Sequence, residues 1–148
     1  MANNENIKFE AKIRSIDLLN SSFITPLKHD KPIDNFQFNI SLENNLNIEK
    51  DLIYILVSVE IQDESYTINF GSASVCCIFE VNNLKEIISI TKDSYTIPPS
   101  LNVVLNSISL STTRGVLYTL FKGTFLDNAI LPIVDPKQFQ PVLAKSEI

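Results

Sequence analysis

From Leu52 to Ile61 every second residue is a β-branched aliphatic: Ile53, Ile55, Val57, Val59 and Ile61 form one row, with Tyr54, Leu56, Ser58 and Glu60 between them. A helix would scatter that row around its circumference. A strand sends alternate side chains to opposite faces, so the stretch is predicted to be a strand with one face against a core. The pattern recurs on both sides. Ile7, Phe9, Ala11 and Ile13 alternate with Lys8, Glu10, Lys12 and Arg14 in a strand that continues towards Leu18. After a looser segment around Pro26, His29 and Pro32, Phe36, Phe38, Ile40 and Leu42 alternate with Gln37, Asn39 and Ser41. Asn44, Asn45 and Asn47 then mark a loop. Tyr66 to Val81 is a long strand whose apolar row changes parity: Tyr66, Ile68 and Phe70 precede Gly71, and Ala73, Val75, Cys77, Phe79 and Val81 follow it. One inserted residue flips every later side chain, so a bulge or bend is expected at the glycine. Gln62-Asp63-Glu64-Ser65 has the length that joins antiparallel neighbours, which makes the first part of the chain a four-stranded antiparallel sheet.

The period then changes. After Asn82-Asn83, Leu84 to Ile90 reads as a short amphipathic piece, and residues 99–122 as a long helix, with Thr96 as its cap and Pro98 or Pro99 in the first turn. At about 100° per residue, Leu101, Val104, Leu105, Ile108, Thr112 and Val116 line one side, while Val103, Leu110, Leu117 and Phe121 line the other. A surface helix needs only one apolar stripe. The second stripe asks for a second partner, most simply another copy of the chain, so Val103, Leu110, Leu117 and Phe121 are the expected oligomer interface. The β-branched residues of this stretch lower its helix propensity, and a hairpin turning at Arg114-Gly115 is the competing reading. Beyond Gly123 the prolines at 132, 136 and 141 interrupt any long element, so Leu126 to Val134 is expected to run extended over the body of the protein.

Composition excludes several classes. The 148 residues suit one domain, 1–148, with 1–6 and 140–148 as flexible ends. The polar start, Met1 to Asn6, lacks the basic and apolar regions of a secretory signal, and no apolar run nears the roughly 18 residues that span a bilayer. Cytoplasmic localisation without membrane insertion is expected. A net charge of −5 with scattered basic residues argues against a nucleic-acid partner. Adjacent Cys76 and Cys77 point to opposite strand faces and are read as reduced thiols.

No chemistry emerges. His29 is the only histidine and has no second ligand at zinc-site spacing. The glycines at 71, 115 and 123 are isolated, so no phosphate loop exists. Asp63-Glu64 reads as a solvated turn, and no serine sits in a nucleophile elbow. No enzyme, catalytic residue, metal or cofactor is expected. Apolar segments such as Phe23-Ile24 and Ile87-Ile88 remain, and such surfaces serve assembly, ligand binding or both.

The order and spacing of these segments resemble SecB, the bacterial protein-export chaperone family. Phe9 to Ile16 followed by Ser22-Phe23-Ile24-Thr25-Pro26 is similar to the family's first strand and the F-x-x-P after it. Phe38 to Leu42 is similar to its second strand, and Tyr54 to Ile61 with Tyr66 to Val81 to its long hairpin. Lys122-Gly123-Thr124-Phe125, with Leu131-Pro132-Ile133 and Phe139 following, resembles the family's RGTF ending of the long helix. The resemblance implies an α+β fold: a four-stranded antiparallel sheet followed by a long C-terminal helix packed in an oligomer interface, assembled as a dimer of dimers with the helices between the sheets. It also implies an ATP-independent holdase for unfolded preproteins, with SecA as a further partner. The outward row of the sheet mixes Lys8, Lys12 and Arg14 with Glu10 and Glu60, whereas the family's SecA-binding face is acidic. The expected client contacts are Phe23, Ile24, Phe79, Leu84, Ile87, Ile88, Leu126 and Leu131. The alternatives are a SecB-like chaperone dedicated to one client, such as an antitoxin, and a small carrier of apolar ligands.

Overall fold

Four strands form where the alternation predicts them. The structure, a computed structural model, describes residues 9–26, 35–91, 94–139 and 145–146. Strands β1 (Ala11–Phe23), β2 (Gln37–Asn47), β3 (Leu52–Gln62) and β4 (Asn69–Val81) make an antiparallel sheet in the order β1-β4-β3-β2, a Greek key with the first strand beside the fourth. The looser loop around His29 and the polar start of the chain lie outside the described residues.

The asparagine cluster does not end β2. Phe38, Ile40, Leu42, Asn44 and Leu46 form one continuous inner row opposite Ile61, Val59, Val57, Ile55 and Ile53. Leu46 is completely buried. Asn44 donates through its side-chain amide to Asn102 Oδ1 at 2.6 Å. Pairing with β3 thus overrides the turn preference of these residues, because breaking the row would expose a buried leucine.

Bulges set which way the edge strands face. Ile61 pairs with Gly71 and Gln62 with Asn69, which leaves Phe70 as the extra residue and accounts for the change of parity beside the glycine. In β1, Arg14 and Leu19 are passed over in the same way, so Ile13, Ile16 and Leu18 all lie opposite the inner residues Phe79, Cys77 and Val75.

Beyond β4 the chain turns through Asn83, whose φ is 57°. The short amphipathic piece splits in two: helix α1 (Leu84–Ile87), whose first amide donates to Asp51 Oδ1, and strand β5 (Ser89–Thr91). β5 pairs with β6 (Ser94–Thr96), which takes Thr96 away from any capping role. The long helix, α2 (Pro99–Leu120), starts instead from Pro98, whose carbonyl accepts from Asn102 N at 2.9 Å and whose missing amide hydrogen costs nothing there.

α2 lies across the inner face of β3 and β4, where Ile53, Ile55, Val57, Val75, Cys77 and Phe79 are buried. Past Phe121 the chain doubles back as a strap, and Leu126, Ala129 and Leu131 enter the same core. Arg114 fastens the strap: Nε donates to Leu131 O at 2.7 Å and Nη2 to Pro132 O at 2.9 Å. A 3-10 turn at Pro136–Gln138 follows, opened by Asp135, whose carboxylate accepts from Lys137 N. Of the expected flexible end 140–148, only Lys145–Ser146 is described, as a short strand β7 along β2.

The buried face of α2 is not uniformly apolar. Asn102, Asn106, Ser109 and Thr113 are each at most 1% exposed. Thr113 spends its hydroxyl on Ser109 O at 2.7 Å. Among the described residues Asn44 Oδ1, Asn102 Nδ2 and Asn106 Oδ1 find no hydrogen-bond partner. A buried polar atom left unpaired costs about 1–3 kcal/mol. Asn106→Leu is therefore expected to stabilise the fold by about 1 kcal/mol and raise Tm by roughly 2–4 °C, read from thermal unfolding by circular dichroism.

Candidate functional site

The two stripes of α2 are flanks of one broad buried face. Leu101 and Leu105 border the polar line Asn102, Asn106, Ser109 and Thr113 on one side, and Leu110, Leu117 and Phe121 border it on the other. Because the polar line turns inward, both flanks reach the sheet. Leu110, Leu117 and Phe121, expected at an oligomer interface, are instead at most 2% exposed within their own chain, and Val103 is half-buried. The outward side of the helix is the part of the other stripe that holds Val104 and Ile108, with Ser111, Gly115 and Thr119 along the same line.

The residues expected to contact a client divide between the two ends of β4. Phe23 and Ile24 leave the sheet beside Gly71, near its start, whereas Leu84, Ile87 and Ile88 follow its end at Val81. Ten strand residues separate those ends by about 33 Å. Phe79, Leu84, Ile88, Leu126 and Leu131 are core residues, and Ile87 is half-buried. Phe23 and Ile24 are open, at 49% and 53% exposure.

What lies behind Phe23 and Ile24 is a phenylalanine cluster. Phe23 meets Phe121 edge to face, with ring centroids 6.1 Å apart. Phe70 and Phe125 lie 5.2 Å apart, and Phe36 sits 6.1 Å from each of them. Ile24 N donates to Phe70 O at 2.9 Å, which holds the exposed pair against the cluster by backbone as well as by rings. The alternation had placed Phe36 and Phe70 only as strand residues and Phe125 only as part of a motif. Their convergence depends on the bulge at Phe70 and on the reversal of chain after Phe121, neither of which a local pattern locates. Tyr66 and Ile68, in the β3–β4 turn, add exposed apolar surface.

Among the described residues charge is scarce here. Asp63 in the adjoining turn accepts from the Ile68 and Thr67 amides and from the Ser65 and Thr67 hydroxyls. The Ile68 amide above all, then Ser65, hold its carboxyl far below the usual carboxylate range. It is therefore an ionised turn lock, not a proton donor. Cys77, deep in the sheet, has its thiol pushed up by burial, with the Ser109 hydroxyl pulling weakly the other way, so it stays neutral. Among the described residues no group of three His, Cys, Asp or Glu side chains is placed to hold a metal ion.

A second apolar region opens at the other end of the sheet. Phe9, Ala11 and Ile13 of the β1 side and Leu101, Val104 and Ile108 of α2 line an open pocket of about 300 Å³ floored by Phe79. It continues along β1, where Ile13, Ile16 and Leu18 face the helix side of the sheet yet stay 44–47% exposed because α2 does not extend over them.

No family model and no curated protein matches the sequence. Among solved structures the chain is similar to the Mycobacterium tuberculosis Rv1957 SecB-like chaperone, in complex with a ChAD peptide from the Rv1956 HigA1 antitoxin. The TM-score is 0.56 at 14% sequence identity, over 84% of this chain and 90% of that one. The likeness shows the fold: a SecB-like α+β arrangement of a four-stranded antiparallel sheet followed by a long helix.

Gly71 is the tightest point of the aromatic end. A Cβ built there would lie 2.6 Å from Leu126 Cδ1 and 3.1 Å from Ser22 O. The leucine could swing away, but the backbone oxygen could not. Gly71→Ala is expected to displace Leu126 and destabilise the protein by about 1–3 kcal/mol, measured as a lower urea midpoint at unchanged m-value.

Proposed function

We propose that this protein is a non-enzymatic chaperone that holds extended, non-native polypeptide against its aromatic end. The observation that carries this reading is the pair Phe23 and Ile24, exposed at a sheet edge while fixed from behind by Phe70, Phe121 and the rings around them. Such a surface is apolar and backed by packed rings. It offers burial worth about 1.5–3 kcal/mol for each large client side chain it covers. The β2 edge, which starts at Gln37 at the same end of the sheet, adds backbone hydrogen bonds that read no sequence. A holdase needs no more, because binding the unfolded state shifts a client's folding equilibrium by mass action without ATP.

The SecB-like fold supports a polypeptide client, and the neighbour's complex with an antitoxin peptide favours a second, narrower reading in which the client is a single dedicated protein. The wider reading has the chaperone in the cytoplasm, holding preproteins for export with SecA as receiver. Lys12 and Arg14 share Glu80 at 3.3 Å and 3.2 Å, which makes that part of the sheet mixed in sign where SecA docking on the family pattern calls for acid. A carrier of small apolar ligands would need a closed cavity, whereas the pocket beside Val104 and the one beside Val116 both open to solvent.

Assembly belongs to this proposal. The open apolar face formed by Ile13, Ile16 and Leu18 of β1 with Val104 and Ile108 of α2 is the surface for a second copy, in place of Leu110, Leu117 and Phe121. Light scattering should return a multiple of 16.7 kDa, and Ile16→Asp combined with Val104→Asp should reduce it to that value. A wild-type monomer would remove the assembly from the proposal.

The holding activity is tested with a reduced, unfolded client. At stoichiometric ratio the protein should suppress aggregation of reduced insulin, and Phe23→Asp with Ile24→Asp should weaken client binding about tenfold or more at unchanged mass. Equal aggregation with and without the wild-type protein would overturn the chaperone reading.

A further inference from the structure

The two edges of the sheet are built differently. β1 carries bulges at Arg14 and Leu19 and the basic side chains Lys12 and Arg14, devices that discourage another chain from pairing there. β2 has none of them. Its register with β3 is unbroken from Gln37 to Asn47, and it contains no proline and no lysine. Eleven residues of flat strand therefore present one row of N–H and C=O groups outward, which is a template for any extended polypeptide.

Something already pairs with that template. Lys145 and Ser146 run parallel to β2, opposite Asn45 and Leu46, as the outermost strand of the sheet. Upstream, Gln37–Asn44 has no outer strand partner among the described residues. We infer that the strand Lys145–Ser146 is an intramolecular competitor for the β2 edge, displaced when an extended client adds a strand there. This inference rests on the chaperone reading above and gives that activity a built-in control.

The geometry suits displacement. The tail pairs over two residues only, and in the parallel sense, the slightly weaker of the two ladders. A client laid antiparallel along the full length of β2 forms several times as many hydrogen bonds. The tether compensates, since a segment joined by a few residues acts at an effective concentration in the millimolar range. An occupant of this strength masks the Asn45–Leu46 end of the edge for most of the time, and so blocks a client from using the full length of β2, without closing it. Freeing the edge should then tighten client binding by about three- to tenfold, the inverse of the fraction left open.

Three full assemblies distinguish the outcomes: the intact chain, a chain ending at Phe139, and a full-length chain carrying Lys145→Pro and Ser146→Pro, which lacks the two N–H donors at unchanged length. The probe is fluorescein-labelled lactalbumin, reduced and carboxymethylated, followed by anisotropy. Both variants should bind it about three- to tenfold more tightly than the intact chain. A peptide with the sequence of residues 140–148, added to the shortened chain, should bring its affinity back towards the intact value. If the shortened chain fails to fold, the proline variant decides alone. Equal or weaker binding by the proline variant, with the intact chain still binding the probe, would overturn the inference while leaving the chaperone reading in place. No binding by any of the three would remove both.

Discussion

The fold depends on one contact, the seating of α2 on the inner face of β3 and β4. The sheet contributes an almost continuous aliphatic floor from Ile53 to Ile61 and from Ala73 to Val81. The helix contributes two apolar flanks with a polar line between them. Every later segment is placed by that seating. Phe121 ends the helix where Phe23 leaves β1, the strap returns along the helix to Arg114, and Leu126 drops over Gly71. The polar line makes the seating costly, since Asn102 and Asn106 are buried with side-chain atoms unpaired. Asn102 accepts from the Asn44 amide on β2, a contact made at the helix rotation that turns Val104 and Ile108 outward.

That rotation separates the surfaces. One end of the sheet gathers rings from the chain between β1 and β2, from the β4 bulge and from the strap, and leaves Phe23 and Ile24 on top of them. The other end leaves aliphatic groups of β1 and α2 beside an open pocket. An aromatic patch with a fixed backing suits changing side chains of a bound segment, whereas a flat aliphatic strip suits repeated contact with one partner. In the proposed reading client and copy use different stretches of one sheet, Phe23 and Ile24 for the client and Ile13, Ile16 and Leu18 with Val104 and Ile108 for the copy.

Much of this was legible in the sequence, and the failures have physical causes. The strands and the long helix followed from period two and period 3.6, and the parity change at Gly71 pointed to the bulge that the structure places at Phe70. Asn44 and Asn45 misled because turn preference is local, whereas the inner row from Phe38 to Leu46 is set by β3. The short hairpin of β5 and β6 carried no signal strong enough to separate it from a helical piece. The stripes of α2 read as two faces because the residues between them, Asn102, Asn106, Ser109 and Thr113, carry no apolar signal that would join them. Once Asn102, Asn106, Ser109 and Thr113 are inside, the angle between the stripes closes into one face, with Leu110, Leu117 and Phe121 buried in their own chain and Val104 and Ile108 exposed. Phe79, Leu84, Ile88, Leu126 and Leu131 likewise lie in the core of the chain, since apolar character alone does not separate a core residue from a binding one.

The central claim, that the aromatic end is where polypeptide binds, is tested most directly by amide hydrogen exchange on the intact protein with and without reduced, carboxymethylated lactalbumin. The account predicts added protection at Phe23–Ile24 and along Gln37–Asn44, with Leu84–Ile88 unchanged. Protection confined to Leu84–Ile88 or to the outward side of α2, with Phe23–Ile24 unaffected, would contradict it.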